Sequence, residues 1–286
     1  MLDFYPVRCD ETAYSEYTDL FAACFPAAHK YSRSYLDWLY RGNPDGQVVG
    51  FDARDGDRLA AHYVCIPARA QVGDQEVRVL LSLNTATHPE YQGKGLFTQL
   101  AERTYAAGAA AGYDCVYGVA NANSTPGFMR KLKFQLVGPL QARVGAGTLG
   151  IDFGRLDGVQ FRRSWSANAL AWRCGSPINP VTMSKNDGRN TFLTPALFGS
   201  TVLATAEIDG ASIADALVET AGSLNSPFRL FIGMIPPIAQ RRSLYIDIPH
   251  ALRPSPLNFI YRSLSERVMS LESNTVFFNF LDFDAY

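Results

Sequence analysis

The chain has 286 residues, of which 47% are apolar and 19% charged, and its formal net charge is -1. Such a length buries a sizeable core in one large or two small domains, and the composition excludes a disordered chain. Near-neutral charge argues against a broad attraction to nucleic acid or to an anionic membrane surface. No apolar run reaches the ~18 residues of a membrane span, and "MLDFYPVRCDE" lacks the basic-then-apolar order of a signal peptide. Cys9, Cys24, Cys65, Cys115 and Cys174 form no CxxC, and the histidines have no metal-ligand spacing. Neither a disulfide framework nor a metal is expected, and the expected location is cytoplasmic.

In chain order, "FYPVRC" predicts a short strand. "ETAYSEYTDLFAACF" predicts a helix with Tyr14, Tyr17, Leu20, Phe21 and Cys24 at helical spacing. "SRSYLDWLYRGNP" reads as a second helix, capped by serine and stopped by Asn43-Pro44. Residues 47–87 read as a three-strand meander with turns at "RDGDR" and "VGDQ". "LFTQLAERTYAAGAAAG" is an alanine-rich helix ended by Gly112. "YDCVYGVAN" is a buried-type strand, "NSTPGFMRKLK" a helix start and "FQLVGPLQARV" one further strand. The glycine-rich "GAGTLGIDFG" marks the expected boundary between domains 1–145 and 146–286.

The second half echoes the first. "YLDWLYRGNP" at 35–44 resembles "ALAWRCGSP" at 169–177, with Trp38 matching Trp172 and Pro44 matching Pro177 after one deletion. "VVGFDARDGDR" lies beside "VTMSKNDGRN", each a strand candidate closed by Asp-Gly. "ASIADALVETAG" resembles a third helix and "FRLFIGMI" the strand after it. Shared element order supports an internal duplication.

The chemistry points to "HPEYQGKGLF", residues 88–97. His88-Pro89 ends strand pairing, because proline has no N–H. Gln92, Gly93, Lys94 and Gly95 then run into a helix beginning near Leu96. The first N–H groups of a helix lack internal partners and favour an anion. Glycines let that backbone approach a phosphate. The GxxxxGK[ST] spacing of a Walker loop is missing, and only GxG of a dinucleotide fingerprint is present.

In its wider context, residues 85–138 resemble the cofactor-binding core of the GNAT superfamily of acyl-CoA-dependent N-acyltransferases. Gln92, Gly93, Lys94 and Gly95 match that family's [QR]-x-x-G-x-[GA], with Phe97 where glycine or alanine is usual. The resemblance implies a mixed α/β (α+β) fold: two tandem GNAT-like domains, mostly antiparallel sheets flanked by helices. It implies pantetheine lying along Thr85, Ala86 and Thr87. The pyrophosphate would rest on the N–H groups of Gln92, Gly93, Lys94, Gly95, Leu96 and Phe97. Asn121, Asn123 and Ser124 would bond pantetheine or cap the following helix.

The family's frequent acidic tyrosine is replaced, since Met129 of "FMRKLKF" stands at its position. Tyr117 is the candidate substitute. His62, Asn84 and His88 are the candidates for deprotonating or orienting an amine. The second half lacks a Q-x-x-G-x-G and is read as a degenerate copy that completes the acceptor pocket. The two-copy layout further resembles bacterial nucleotide-sugar N-acyltransferases of surface-polysaccharide (O-antigen) synthesis. Arg41, Arg130 or Lys131 would then meet the acceptor's diphosphate. Other GNAT acceptors (a peptide, polyamine or aminoglycoside) and a non-catalytic acyl-CoA-binding module are the alternatives. The co-substrate implied is acetyl-CoA or a hydroxyacyl-CoA, the partners small molecules.

Overall fold

A computed structural model describes residues 2–28, 30–186, 188–210, 224, 226–253 and 255–284. The fold is mixed α/β, with two sheets of mostly antiparallel strands and five α-helices among the described residues. The third helix read in the second half, at 211–222, falls outside the described residues.

The first sheet is built as the meander predicts. Strands β1 (Leu2–Pro6), β2 (Val49–Asp55), β3 (Arg58–Val72) and β4 (Gln75–Thr87) pair antiparallel in that order. Strand β5 (Cys115–Ala120) joins β4 in parallel after helix α3 (Leu96–Ala110). Helix α4 (Thr125–Leu132) and strand β6 (Gln135–Pro139) follow. Helices α1 (Glu11–Cys24) and α2 (Arg33–Tyr40) bury Tyr14, Tyr17, Phe21, Tyr35 and Tyr40 against one face. Helices α3 and α4 cover the other face with Leu96, Leu100, Tyr105, Phe128 and Leu132.

"FQLVGPLQARV" is not one strand. It breaks at Leu140 into β6 and β7 (Gln141–Ala146), which lie in different sheets. Strand β7 enters the second sheet between β12 (Arg229–Gly233) and β13 (Leu244–Asp247). In exchange, β14 (Asn258–Ser263) enters the first sheet between β5 and β6. The remainder of the second sheet is β9 (Thr182–Asn186), β10 (Arg189–Leu197) and β11 (Val202–Asp209), with β11 parallel to β12. Its order β9-β10-β11-β12-β7-β13 thus repeats β2-β3-β4-β5-β14-β6. Each half lends the other one central strand. Strand β8 (Phe161–Ser164) also crosses over, pairing with β3 and with β15 (Val276–Phe277). The expected division at 145/146 falls within β7, just past the corner at Leu140 where the chain passes from the first sheet to the second.

The repeat noted in the sequence is visible where the halves meet. Ser32 caps α2 by accepting from the Tyr35 N–H, and Ser166 caps α5 (Ala167–Cys174) by accepting from the Ala169 N–H. Six residues after each cap stands a tryptophan. Trp38 and Trp172 stack with ring centroids 4.8 Å apart. Each indole N–H donates to the other residue's carbonyl, at 3.0 and 2.9 Å. The contact is reciprocal, as a local two-fold would make it. Both indoles bury apolar rings while their single polar atom is satisfied.

The exchange predicts that the halves cannot be separated. A fragment of residues 1–145 lacks β14 and leaves β5 and β6 with open edges, a template for aggregation. We expect it to be insoluble alone and to become soluble when residues 146–286 are co-expressed, measured by yield and size-exclusion profile. A soluble, monomeric 1–145 fragment would contradict this account.

Candidate active site

The site begins with a parting of strands. β4 and β5 pair at Val79–Cys115, Leu80–Val116 and Leu81–Tyr117, and no pair follows. β4 continues along β3, but its register shifts so that Asn84 and Thr85 are passed over between Leu83 and Ala86. Such a bulge bends a strand away from its neighbour. Asn84 takes the extra residue's conformation at φ +46°, in the left-handed region that asparagine tolerates better than most residues.

A buried network holds that bulge. The Asn84 Nδ2 donates to the Tyr40 hydroxyl at 3.1 Å. The same hydroxyl lies 2.8 Å from His62 Nε2, and His62 Nδ1 lies 2.7 Å from Asp52 Oδ1. The Tyr17 hydroxyl donates to the other Asp52 oxygen at 2.8 Å. Tyr40 and His62 are fully buried and Asp52 nearly so. Burial raises the Tyr40 hydroxyl well above its usual range, with Asn84 opposing. The structure thus joins two sequence candidates, His62 and Asn84, through Tyr40, which the sequence presents only as a helix residue. Both His62 nitrogens are engaged within the network. An acidic residue at a buried strand position, Asp52, was the signal available in the sequence.

Beyond β4, His88 is occupied in the chain reversal. Its Nδ1 accepts from the Glu90 N–H, and its Nε2 lies 3.1 Å from an Arg58 nitrogen. Gln92, Gly93, Lys94 and Gly95 are exposed. Gly93 and Gly95 have φ of +78° and +71°, so glycine is required by conformation. A Cβ on Gly93 would meet nothing within 4 Å, and one on Gly95 only the Gln99 side chain at 3.9 Å. The space in front of the loop is open. Gly95 is the N-cap of α3 and supplies no side-chain cap, so the first-turn N–H groups face outward without one. The Phe97 ring turns away from them, edge-on to Phe128 at 5.3 Å.

The remaining candidates divide. Asn121 Oδ1 accepts from the Asn123 and Ser124 N–H groups, and Ser124 Oγ lies against Asn121, so both side chains are used in the turn before α4. The Asn123 side chain is exposed. Tyr117 is fully buried where β4 and β5 part. Its hydroxyl donates to the Asp282 carbonyl at 3.0 Å and accepts from Arg163 at 2.7 Å. Burial raises it, against Arg163. Arg41 pairs with Asp37 at the surface, and Arg130 and Lys131 end α4 on the opposite face of the sheet.

Two cavities share Arg163 and Trp165 as walls. One, of about 20 Å3, touches Leu81 and Leu83 of β4, Trp38 and Trp172. The other, of about 240 Å3, reaches Gln71, Glu76, Arg162 and Asp282. Among the described residues, no three His, Cys, Asp or Glu side chains are grouped to hold a metal ion, and no helix is long and apolar enough to cross a membrane.

Residues 7–137 match a family model described as an acetyltransferase (GNAT) domain. That span of the chain is similar to a GNAT domain. The matched span holds the parted strands, the glycine loop and the Asp52–His62–Tyr40–Asn84 network, whereas Arg163, Trp165 and Asp282 come from outside it. Solved structures of similar fold extend over both halves. A GCN5-related N-acetyltransferase from Anabaena variabilis matches with TM-score 0.58 and 11% identity, over 92% of this chain and 73% of its own. Eis1 from Mycobacterium abscessus gives 0.57 and 10%, over 93% and 74%. A protein of unknown function from Enterococcus faecalis, described as a probable N-acyltransferase, gives 0.53 and 10%, over 92% and 73%. No curated protein matches the sequence.

Outside the matched span, Asp282 accepts from the Trp165 Nε1 at 3.1 Å and the Asn279 N–H at 2.8 Å. Burial nevertheless pushes its carboxyl up to about 6 from an ordinary 3.8, with Arg163 opposing. The folded state then binds this proton more tightly than the unfolded state. The associated stabilisation is complete below about pH 4 and is lost as pH rises to about 6, a change of about 3 kcal/mol. Asp282→Asn has no such proton to lose. The stability difference, wild type minus variant, should fall across that window in denaturant titrations and stay flat above it. A difference independent of pH would remove the assignment.

Proposed function

We propose that the protein transfers an acyl group from acyl-CoA to the amine of a small acceptor, by direct attack in a ternary complex. The observation that carries this reading is the gap between β4 and β5 opening beside an uncapped, glycine-led helix start. Pantetheine would lie in the gap along Thr85, Ala86 and Thr87, with the Asn123 side chain near. The pyrophosphate would rest on the N–H groups from Gln92 to Phe97. Asn84 would orient the amine. Its proton would leave towards Tyr40 as the Tyr40 proton moves to His62, whose imidazolium is balanced by Asp52. Tyr117, kept protonated by burial, is the proposed acid for the departing thiolate.

For the acceptor, we favour a nucleotide-linked amino sugar. The 240 Å3 cavity supports this, because Arg162 on its wall would meet a diphosphate, beside the Trp165 ring on which Arg163 lies at 4.2 Å. These residues take the place of Arg41, Arg130 and Lys131 in the reading. A cationic acceptor, such as a polyamine or aminoglycoside, is the second reading. It is favoured by Glu76, Asp209 and Asp282 on the walls of the same cavity.

The test is titration with acetyl-CoA, followed by thermal shift, then by free-thiol release with nucleotide-linked amino sugars, polyamines and aminoglycosides. Gly95→Glu, which adds a carboxylate where the pyrophosphate would sit, should weaken acetyl-CoA binding at least about 100-fold. Wild-type protein that does not bind acetyl-CoA would end the reading. Binding without turnover of any amine would favour a non-catalytic acyl-CoA-binding module.

A further inference from the structure

Helix α5 of the second half carries Arg173, which is 4% exposed. Its Nε donates to the Leu281 carbonyl at 3.2 Å, and one Nη to the carbonyls of Phe280 and Phe283. The other, Nη1, is buried and has no hydrogen-bond partner. A buried guanidinium N–H left unmade is costly, and natural proteins seldom tolerate one without a purpose. Arg173 lines the 20 Å3 cavity with Leu81 and Leu83, the β4 residues where that strand leaves β5. A void of this size accepts one oxygen-sized atom. The charged groups around it are Arg163 and Asp284 on its walls, Lys30 bonded to Asp284 at 2.5 Å, and Asp282 beyond. Asp284 is already used by Lys30 and by the Tyr35 hydroxyl. It does not reach Nη1.

We infer that Arg173 Nη1 is a recognition point for an anionic oxygen of the acceptor, so that the second half selects amines bearing a carboxylate or phosphate. This rests on the acyltransferase reading for the identity of the ligand, but not for the anion site itself. The repeat makes the residue's presence more pointed. Arg173 follows Trp172 as Leu39 follows Trp38, and Leu39 is an ordinary buried apolar residue. A packing role alone would be served by leucine.

The experiment uses the full chain saturated with CoA. Binding of three probes is measured calorimetrically: an amino acid, a nucleotide-linked amino sugar and a simple alkylamine without an acid group. Wild type should prefer one of the acidic amines, and which one it prefers identifies carboxylate or phosphate. Arg173→Lys and Arg173→Met should lose about 10- to 100-fold for that probe, with the alkylamine changed less than about twofold. Because both variants disturb the carbonyl contacts to residues 280–283, a second measurement avoids mutation: acetate and inorganic phosphate should compete with the acidic probe on wild type. Equal losses for acidic and neutral amines, or no competition by either anion, would overturn the inference and leave a water-filled cavity. Loss of acetyl-CoA binding, by contrast, would overturn the transferase reading alone.

Discussion

A sheet can open in its middle only if each parted strand is secured on its other side. Backbone groups facing the gap between β4 and β5 lose their sheet partners, which is tolerable only where water or a ligand replaces them. β4 is secured by β3 along nearly its whole length, and β5 is secured at all six positions by β14. The second of these strands comes from the far end of the chain. The opening on which the candidate chemistry depends is therefore held by residues 258–263, more than 130 positions from the loop at 92–95.

The same logic explains the bulge. Left to itself, a strand with an extra residue in the left-handed region would relax. Here Asn84 is tied to Tyr40, Tyr40 to His62, and His62 to Asp52, all in a region without solvent. Hydrogen bonds in such surroundings are strong when complete and costly when broken. The network gives the backbone one geometry and holds the Asn84 side chain on Tyr40.

Much of this was legible in the sequence, for reasons that are local. "HPEYQGKGLF" announces a strand end, two left-handed glycines and a helix start, and each occurs where it reads. The helices follow their apolar spacing and serine caps, and the Trp38–Trp172 match marks a contact. The exchange of β7 and β14 was not legible. "FQLVGPLQARV" alternates as one strand would, and nothing local reveals that Leu140 is a corner between sheets. Tyr40 was hidden for a similar reason, since a tyrosine on an apolar helix face reads as core. Arg173 was legible as an anomaly, a charge where the first copy has Leu39.

The crossing strands also bear on how a substrate gets in. Many two-lobed enzymes admit ligands by swinging one lobe about a linker. Here each lobe's sheet is completed by a strand of the other, and the two tryptophans bond across the seam. Rotating one lobe would tear the β5–β14 and β7–β12 ladders, a cost on the scale of unfolding. A ligand of either cavity would instead have to pass side chains carried on a fixed backbone, so that the protein would exclude by width before it excludes by charge.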